Sequence, residues 1–345
     1  MTDLSLPSVH RRGRRKGLWK RSSLKARLGA LIVGVFAVLA VIGPTIAPYN
    51  PSFANPSPSA ALHAPDAAHL LGTTNLGQDV LSQLLVGIRM TMEIGLIVGI
   101  IAISLATIVG VSAGFLGGVW DEVLSLFTNV LLVLPVLPLL VVLLGYAQAR
   151  GQVATIAVLS ALSWPWSARI IRAQTLSLRS RDFVAASREV GERTWRIVLF
   201  EIMPNEVSLI AANFLGIVLY AIGTSVALAF LGLANLSSWS LGTMLYWAEG
   251  QSALPLGAWW WFVPPGVAVA LIGTGLVLLN FSLDELGNPR LRSMTRGTRL
   301  GRRVLHPTDP TPVLRPTLTS DKVRLGTLST VPRRYSRSNF GTEGF

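Results

Sequence analysis

Residues 184–205 read VAASREVGERTWRIVLFEIMPN, a run rich in arginine and glutamate set between two long apolar segments. Upstream, residues 151–168 carry no Asp, Glu, Lys or Arg, and neither do residues 207–248 downstream. Taken as helix, Phe183, Ala186 and Val190 share one face, and Trp195, Val198, Leu199 and Ile202 share another beyond Gly191. Two short amphipathic helices jointed at the glycine fit this spacing, because Gly191 tolerates the positive φ that ends a helix. Pro204 disfavours α geometry at Met203 and is expected to end the second helix. The small Ala185, Ala186 and Ser187 leave room for another backbone to approach. From the residues alone this elbow is either a docking knob for a partner or a helix lying on lipid.

The rest of the chain sets the context. Of its 345 residues 51% are hydrophobic and only 14% charged, with a mean hydropathy of +0.53, which places it in the membrane class. Six stretches lack Asp, Glu, Lys and Arg altogether: 28–65, 94–120, 123–149, 151–168, 207–248 and 250–283. Each contains an apolar core of the roughly 18–25 residues that cross about 30 Å of hydrocarbon. The expected cores are 28–47, 94–115, 124–146, 153–171, 209–233 and 261–283. They must be helices, because the strands of a barrel would alternate apolar and polar residues. The expected fold is an all-α polytopic membrane protein with six transmembrane helices. Trp164, Pro165 and Trp166 interrupt the fourth. Pro135, Pro138, Pro264 and Pro265 are expected to kink their spans without breaking them.

Orientation follows from the cations. Nine of the 30 Lys and Arg lie in residues 1–27, seven between Arg169 and Arg196, and twelve from Arg290 to Arg337. The opposite side holds only Arg89 and Arg150, so the positive-inside rule places both termini and the elbow in the cytoplasm. The net charge of +13 then reflects topology and contact with anionic lipid, and calls for no nucleic-acid partner. The expected organisation is a basic arm over 1–27, a first span over 28–47 and an extracytoplasmic segment over 48–88. A five-helix core over 89–288 follows, with a cytoplasmic loop at 173–206, and then a disordered basic tail over 289–345.

Several chemistries lack their parts. The chain has no cysteine, and His10, His63, His69 and His306 are scattered without an HExxH pair, so no metal site is expected. None of Lys16, Lys20, Lys25 and Lys322 follows a glycine, so no phosphate-cradling loop exists and nucleotide hydrolysis is not expected here. Glu93, Asp121, Glu122 and Asp284 lie at span ends, which leaves a proton relay little to work with. No histidine lies in a span, which argues against a membrane enzyme. Asn129, Asn213, Thr224, Ser225 and Asn280 are candidates to line a neutral path; interhelical hydrogen bonding is the alternative for each.

The elbow sequence AASREVG, followed by WRIVLFEIMPN, resembles the cytoplasmic EAA loop of ATP-binding-cassette importer permeases. LGTTNLGQDVLSQLLVGIRMT (71–91), SLRSRDFVAASREVG (177–191), LAFLGL (228–233) and NPRLR (288–292) follow the order of the dipeptide, oligopeptide and nickel branch over roughly residues 25–292. The resemblance implies a type I importer permease fold in the bacterial inner membrane. It also implies partners: a second homologous permease, one or two ATPase subunits holding ATP and magnesium, and an extracytoplasmic solute-binding protein. Ala185, Ala186, Ser187, Gly191, Trp195, Arg196, Ile202, Pro204 and Asn205 fall where such a loop engages its ATPase. Ala185 replaces the acidic residue of the motif, and Gln78 and Gln83 stand where the branch usually carries arginine. Oligopeptides are the expected cargo. Trp259, Trp260 and Trp261 are outer-interface aromatics, and their surroundings are similar to members that handle oligosaccharides such as cellobiose-like glycans, the alternative cargo. An ATPase-independent transporter and a membrane scaffold are the remaining alternatives.

Overall fold

The computed structural model describes residues 24–55, 57–146 and 151–287; most of the basic arm, Arg150 and the tail from 289 lie outside them. Ten α-helices run through the described residues: α1 Leu24–Ile46, α2 Val80–Leu116, α3 Gly118–Val133, α4 Val136–Tyr146, α5 Gln152–Arg179, α6 Asp182–Glu189, α7 Thr194–Ile197, α8 Met203–Phe230, α9 Leu241–Gly250 and α10 Trp259–Gly287. A single antiparallel bridge, Thr73 to Asp79, is the only β pairing among them. The fold is therefore all-α.

Among the described residues, four helices are long and apolar enough to cross a membrane: α1, α2, the continuous helix Thr194–Phe230, and Trp259–Leu283 within α10. A fifth span results if α3 and α4 count as one, though an 81° bend separates them. That bend corrects the expected kink to a break. Leu134 sits before Pro135 and is extended, φ −65° and ψ 135°, as the proline ring demands of its predecessor. α5 is 28 residues long and follows the expected fourth core, but its serines and Arg169 and Arg172 make it less apolar than the others. Its Trp164 and Pro165 do not interrupt it; both are buried, and packing holds the helix through the proline.

α2 is the hub. Gly110 and Gly114 let it approach α5, where a β-carbon at Gly110 would lie 2.6 Å from the Ala168 carbonyl and one at Gly114 2.8 Å from Thr175 Cβ. A second pair four residues apart, Gly95 and Gly99, faces Ile222 and Val218 of α8. Small residues at such spacing let helices meet backbone to backbone, and in lipid that dispersion contact replaces the hydrophobic drive. Val98, Ala102 and Ala106 of α2, Leu159 and Ile171 of α5, and Ile217 and Ala221 of α8 form the largest core. α1 packs on α10, where a β-carbon at Gly29 would lie 2.9 Å from the Gly275 carbonyl.

Residues 47–79 cover the start of α2. Asp79 caps it, accepting from Ser82 N and Oγ, and pairs with His69 Nδ1 at 2.9 Å. The His69 N–H, donated to Asp66 at 2.6 Å, holds that exposed carboxyl below the usual carboxylate range. Gln78 and Gln83 are both buried and bond each other, Gln83 Nε2 to Gln78 Oε1 at 2.9 Å. Two neutral amides can share this space where two guanidinium groups would repel.

Candidate functional site

α6 ends in a paired turn. Gly191, at φ +82°, donates its N–H to the Arg188 carbonyl, and Glu192 donates to that of Ser187. These two bonds satisfy the last carbonyls of the helix and require a left-handed residue at 191. A β-carbon there would meet nothing within 4 Å, so the backbone angle alone selects glycine. α7 then opens the second arm of the elbow, but Pro204 does not end it. The chain passes through a π turn, Val198–Ile202, directly into α8, with Met203 helical at φ −57° and ψ −39°. The wider turn bonds Met203 N to Val198 O and leaves space for the proline ring.

The elbow buries Val184, Ile197 and Ile202 against Phe115 of α2 and Leu178 of α5. Arg188 lies over the Phe115 ring, 5.0 Å from its centroid. The faces differ from those the periodicity suggested: Phe183, Ala186 and Val190 point outward, and Val184 is the side chain of α6 that faces the bundle. Val190 is 83% exposed, Trp195 56% and Phe200 65%, with Leu199 beside them. Of the remaining residues singled out in the sequence, Ala185, Arg196, Pro204 and Asn205 are exposed and Ser187 is half-buried. Arg196 lies 3.8 Å from Glu192, a loose surface pair of little energetic weight. Ile202 is buried and supports the elbow from beneath. The result is an elbow that exposes Val190, Trp195, Leu199 and Phe200 among charges of both signs and is anchored to α2 and α5 through its buried side.

Below the elbow is a group that the sequence did not reveal. Glu206, in the first turn of α8, is fully buried and bonds through Oε1 to Thr175 Oγ1 at 2.7 Å; Oε2 has no partner. Its only signal in the sequence was a carboxylate directly following Pro204 and Asn205. Nearby, Arg172 grips Asp121 with two bonds, 2.5 and 2.7 Å, tying α5 to α3.

Deeper in the bundle a cavity of about 560 Å³ opens between α3, α4, α5, α8 and α10. It brings together Asn213 and Asn280, two of the residues proposed for a path, with Ser163, Trp166 and Tyr220, which the sequence reading missed. Trp166 stood out in the sequence only as an interruption of the fourth span, and Tyr220 not at all. Among the described residues, no charged side chain lines this cavity. Asn129 lines a separate space of about 140 Å³ beside Thr128, Arg169 and Arg172. Ser225 borders a third of about 20 Å³, and Thr224 is buried.

At the other end of α10, the three tryptophans part company. Trp261 is 2% exposed within a core of Val80, Met244 and Ala258; Trp260 donates to the Thr73 carbonyl at 3.2 Å; Trp259 is exposed.

Residues 106–293 match the family described as the inner membrane component of binding-protein-dependent transport systems. The chain is 32% identical over 279 residues to the oligopeptide transport system permease protein OppC of Mycobacterium tuberculosis (H37Rv), covering 79% of this chain and 92% of that protein. It is 31% identical over 288 residues to OppC of Bacillus subtilis (80% and 90% covered), and 31% over 279 residues to the dipeptide transport system permease protein DppC of the same organism (79% and 85%).

Proposed function

Because the chain belongs to the family of binding-protein-dependent transport inner-membrane components, a multi-pass group of the bacterial inner membrane, we propose that it forms half of an oligopeptide path driven by a separate ATPase. The observation that carries this reading is the elbow. Val190, Trp195, Leu199 and Phe200 are exposed on an elbow that is itself packed against α2 and α5. Such side chains are suited to a pocket on another protein, and a packed mount lets displacement of that protein move the helices. The partners in this proposal are a second homologous permease, one or two ATPase subunits that hold ATP and magnesium, and an external solute-binding protein. Six spans with both termini in the cytoplasm fit the distribution of basic residues.

In this mechanism a loaded binding protein docks outside, ATP draws the ATPases together, and the elbows transmit that closure to α5 and α8. Solute then passes a wall that is apolar apart from amides and hydroxyls. An uncharged wall discriminates little between peptide side chains, and the Asn213 and Asn280 amides offer the same donors and acceptors as a peptide group. A sugar cargo finds less support, since Trp260 and Trp261 are taken up by internal contacts, which leaves Trp259 as the exposed indole, and the similar permeases are named for peptides.

The direct test is uptake. Right-side-out vesicles or proteoliposomes that hold the permease pair and its ATPases, with ATP inside and the binding protein outside, are expected to accumulate labelled trialanine but not cellobiose. Accumulation of cellobiose alone, or of trialanine without ATP, would defeat the proposal. Gly216 supplies a second test, because it lines the large cavity and a β-carbon there meets nothing within 4 Å. Gly216→Leu is expected to fill the path and lower uptake at least tenfold, while the complex purifies with its ATPases intact. Unaltered uptake in that variant would move the path elsewhere.

A further inference from the structure

We infer that Glu206 is a positioning residue: its hydrogen bond to Thr175 locks α8 to α5 beneath the elbow, so that both helices follow the elbow as one body. This rests on the docking reading above and adds the element that converts docking into motion. α5 enters the elbow and α8 leaves it. Among the described residues the Glu206–Thr175 bond is the one side-chain hydrogen bond joining them. The elbow's other supports are the apolar contacts of Val184, Ile197 and Ile202 with Phe115 and Leu178 and the Arg188 guanidinium over the Phe115 ring, none of which joins α8 to α5 by a hydrogen bond. Apolar contacts are non-directional and can slide by small steps at little cost. A hydrogen bond has a preferred distance and angle, and in a buried setting its loss leaves the carboxyl without compensation.

The surroundings favour a lock over an incidental contact. Thr175 is wedged against α2, where the Gly114 backbone approaches it too closely for any side chain, so its hydroxyl is fixed in place. That hydroxyl lies 2.7 Å from Glu206 Oε1 and 3.0 Å from the Ile171 carbonyl. A purely packing role at position 206 would be met by an apolar side chain without burying a carboxyl whose second oxygen is unsatisfied.

The test uses the full importer with its ATPases and binding protein. The natural chain has no cysteine, so Ser163→Cys in the large cavity provides a single reporter on α5. In the otherwise unaltered chain, trapping with ATP and vanadate is expected to change its labelling by a permeant maleimide at least fivefold. Glu206→Ala is expected to reduce that change below about 1.5-fold, while the ATPases still co-purify and hydrolyse ATP. Glu206→Gln, which keeps a hydrogen-bonding partner for Thr175, is expected to restore it. Thr175→Val, which removes the hydroxyl but keeps the shape, is expected to behave as Glu206→Ala and provides the same test should the alanine variant not assemble. A full labelling change in Thr175→Val or Glu206→Ala overturns the inference, as does a glutamine variant no better than alanine. Failure of the docking reading looks different: the unaltered chain itself would show no nucleotide response.

Discussion

Trp195→Asp is expected to weaken ATPase association at least thirtyfold and to reduce ATP-driven uptake to background. The indole is 56% exposed and is the largest of the exposed apolar side chains of the elbow, with Val190, Leu199 and Phe200. Tryptophans in such positions carry a disproportionate share of interface energy, and truncating one typically costs about 2–4 kcal/mol. At about 1.4 kcal/mol per decade, that corresponds to roughly a thirtyfold to several-hundredfold loss of affinity. Aspartate adds the cost of placing a carboxylate against an apolar surface. Because Trp195 contributes to no core, the melting temperature of the purified permease is expected to stay within about 2 °C of the parent, as for most exposed substitutions. Trp195→Phe, which keeps an aromatic plane, is expected to retain association within about threefold. Co-purification of the ATPases and vesicle uptake measure the two effects. If the indole merely rests on lipid headgroups, the aspartate variant keeps its ATPases and the elbow has another purpose.

The elbow also shows where sequence suffices. The positive φ at residue 191 was legible because few residues other than glycine occupy it cheaply, and the paired bonds to Arg188 and Ser187 follow from local geometry. Four of the six expected spans were legible for a similar reason, since hydrocarbon imposes a minimum apolar length on any helix that crosses it; the third is bent by 81° and α5 is less apolar than the others. Prolines were not, for their effect depends on what surrounds them. Pro135 breaks a helix at an exposed junction, Pro165 is carried through by burial beside Trp164, and Pro204 follows a π turn wide enough to receive it. The outward stripe of Phe183, Ala186 and Val190 was read as an apolar face but not as one turned away from the bundle. Periodicity identifies a stripe, and it cannot say whether this chain or another covers it. Glu206 was hidden because its meaning depends on Thr175, 31 residues earlier in the chain. The cavity was half visible: polar Asn213 and Asn280 stood out in apolar spans, whereas nothing in the sequence tied Trp166 or Tyr220 to them.

Gly110→Leu is expected to destabilise the fold more than any substitution in the elbow. A β-carbon at this position would lie 2.6 Å from the Ala168 carbonyl, 3.0 Å from Ile171 Cβ and 3.1 Å from the Arg172 amide nitrogen. Two of those three atoms are backbone, so no rotamer change relieves the clash and α5 itself must move. Overpacking of this kind costs about 1–3 kcal/mol when side chains can adjust, and here the upper end or beyond applies. The displaced helix carries Thr175 of the lock and Ser163 and Trp166 of the cavity, so function and fold fail together. Gly145→Leu is the matched control, because it adds the same side chain to a helix where a β-carbon meets nothing within 4 Å. Size-exclusion profiles of the detergent-purified protein after graded heating are expected to show the Gly110 variant aggregating well below the parent, with the Gly145 variant close to it. Equal behaviour of the two variants would mean that α2 and α5 do not meet backbone to backbone, and that the hub assigned to α2 must be redrawn.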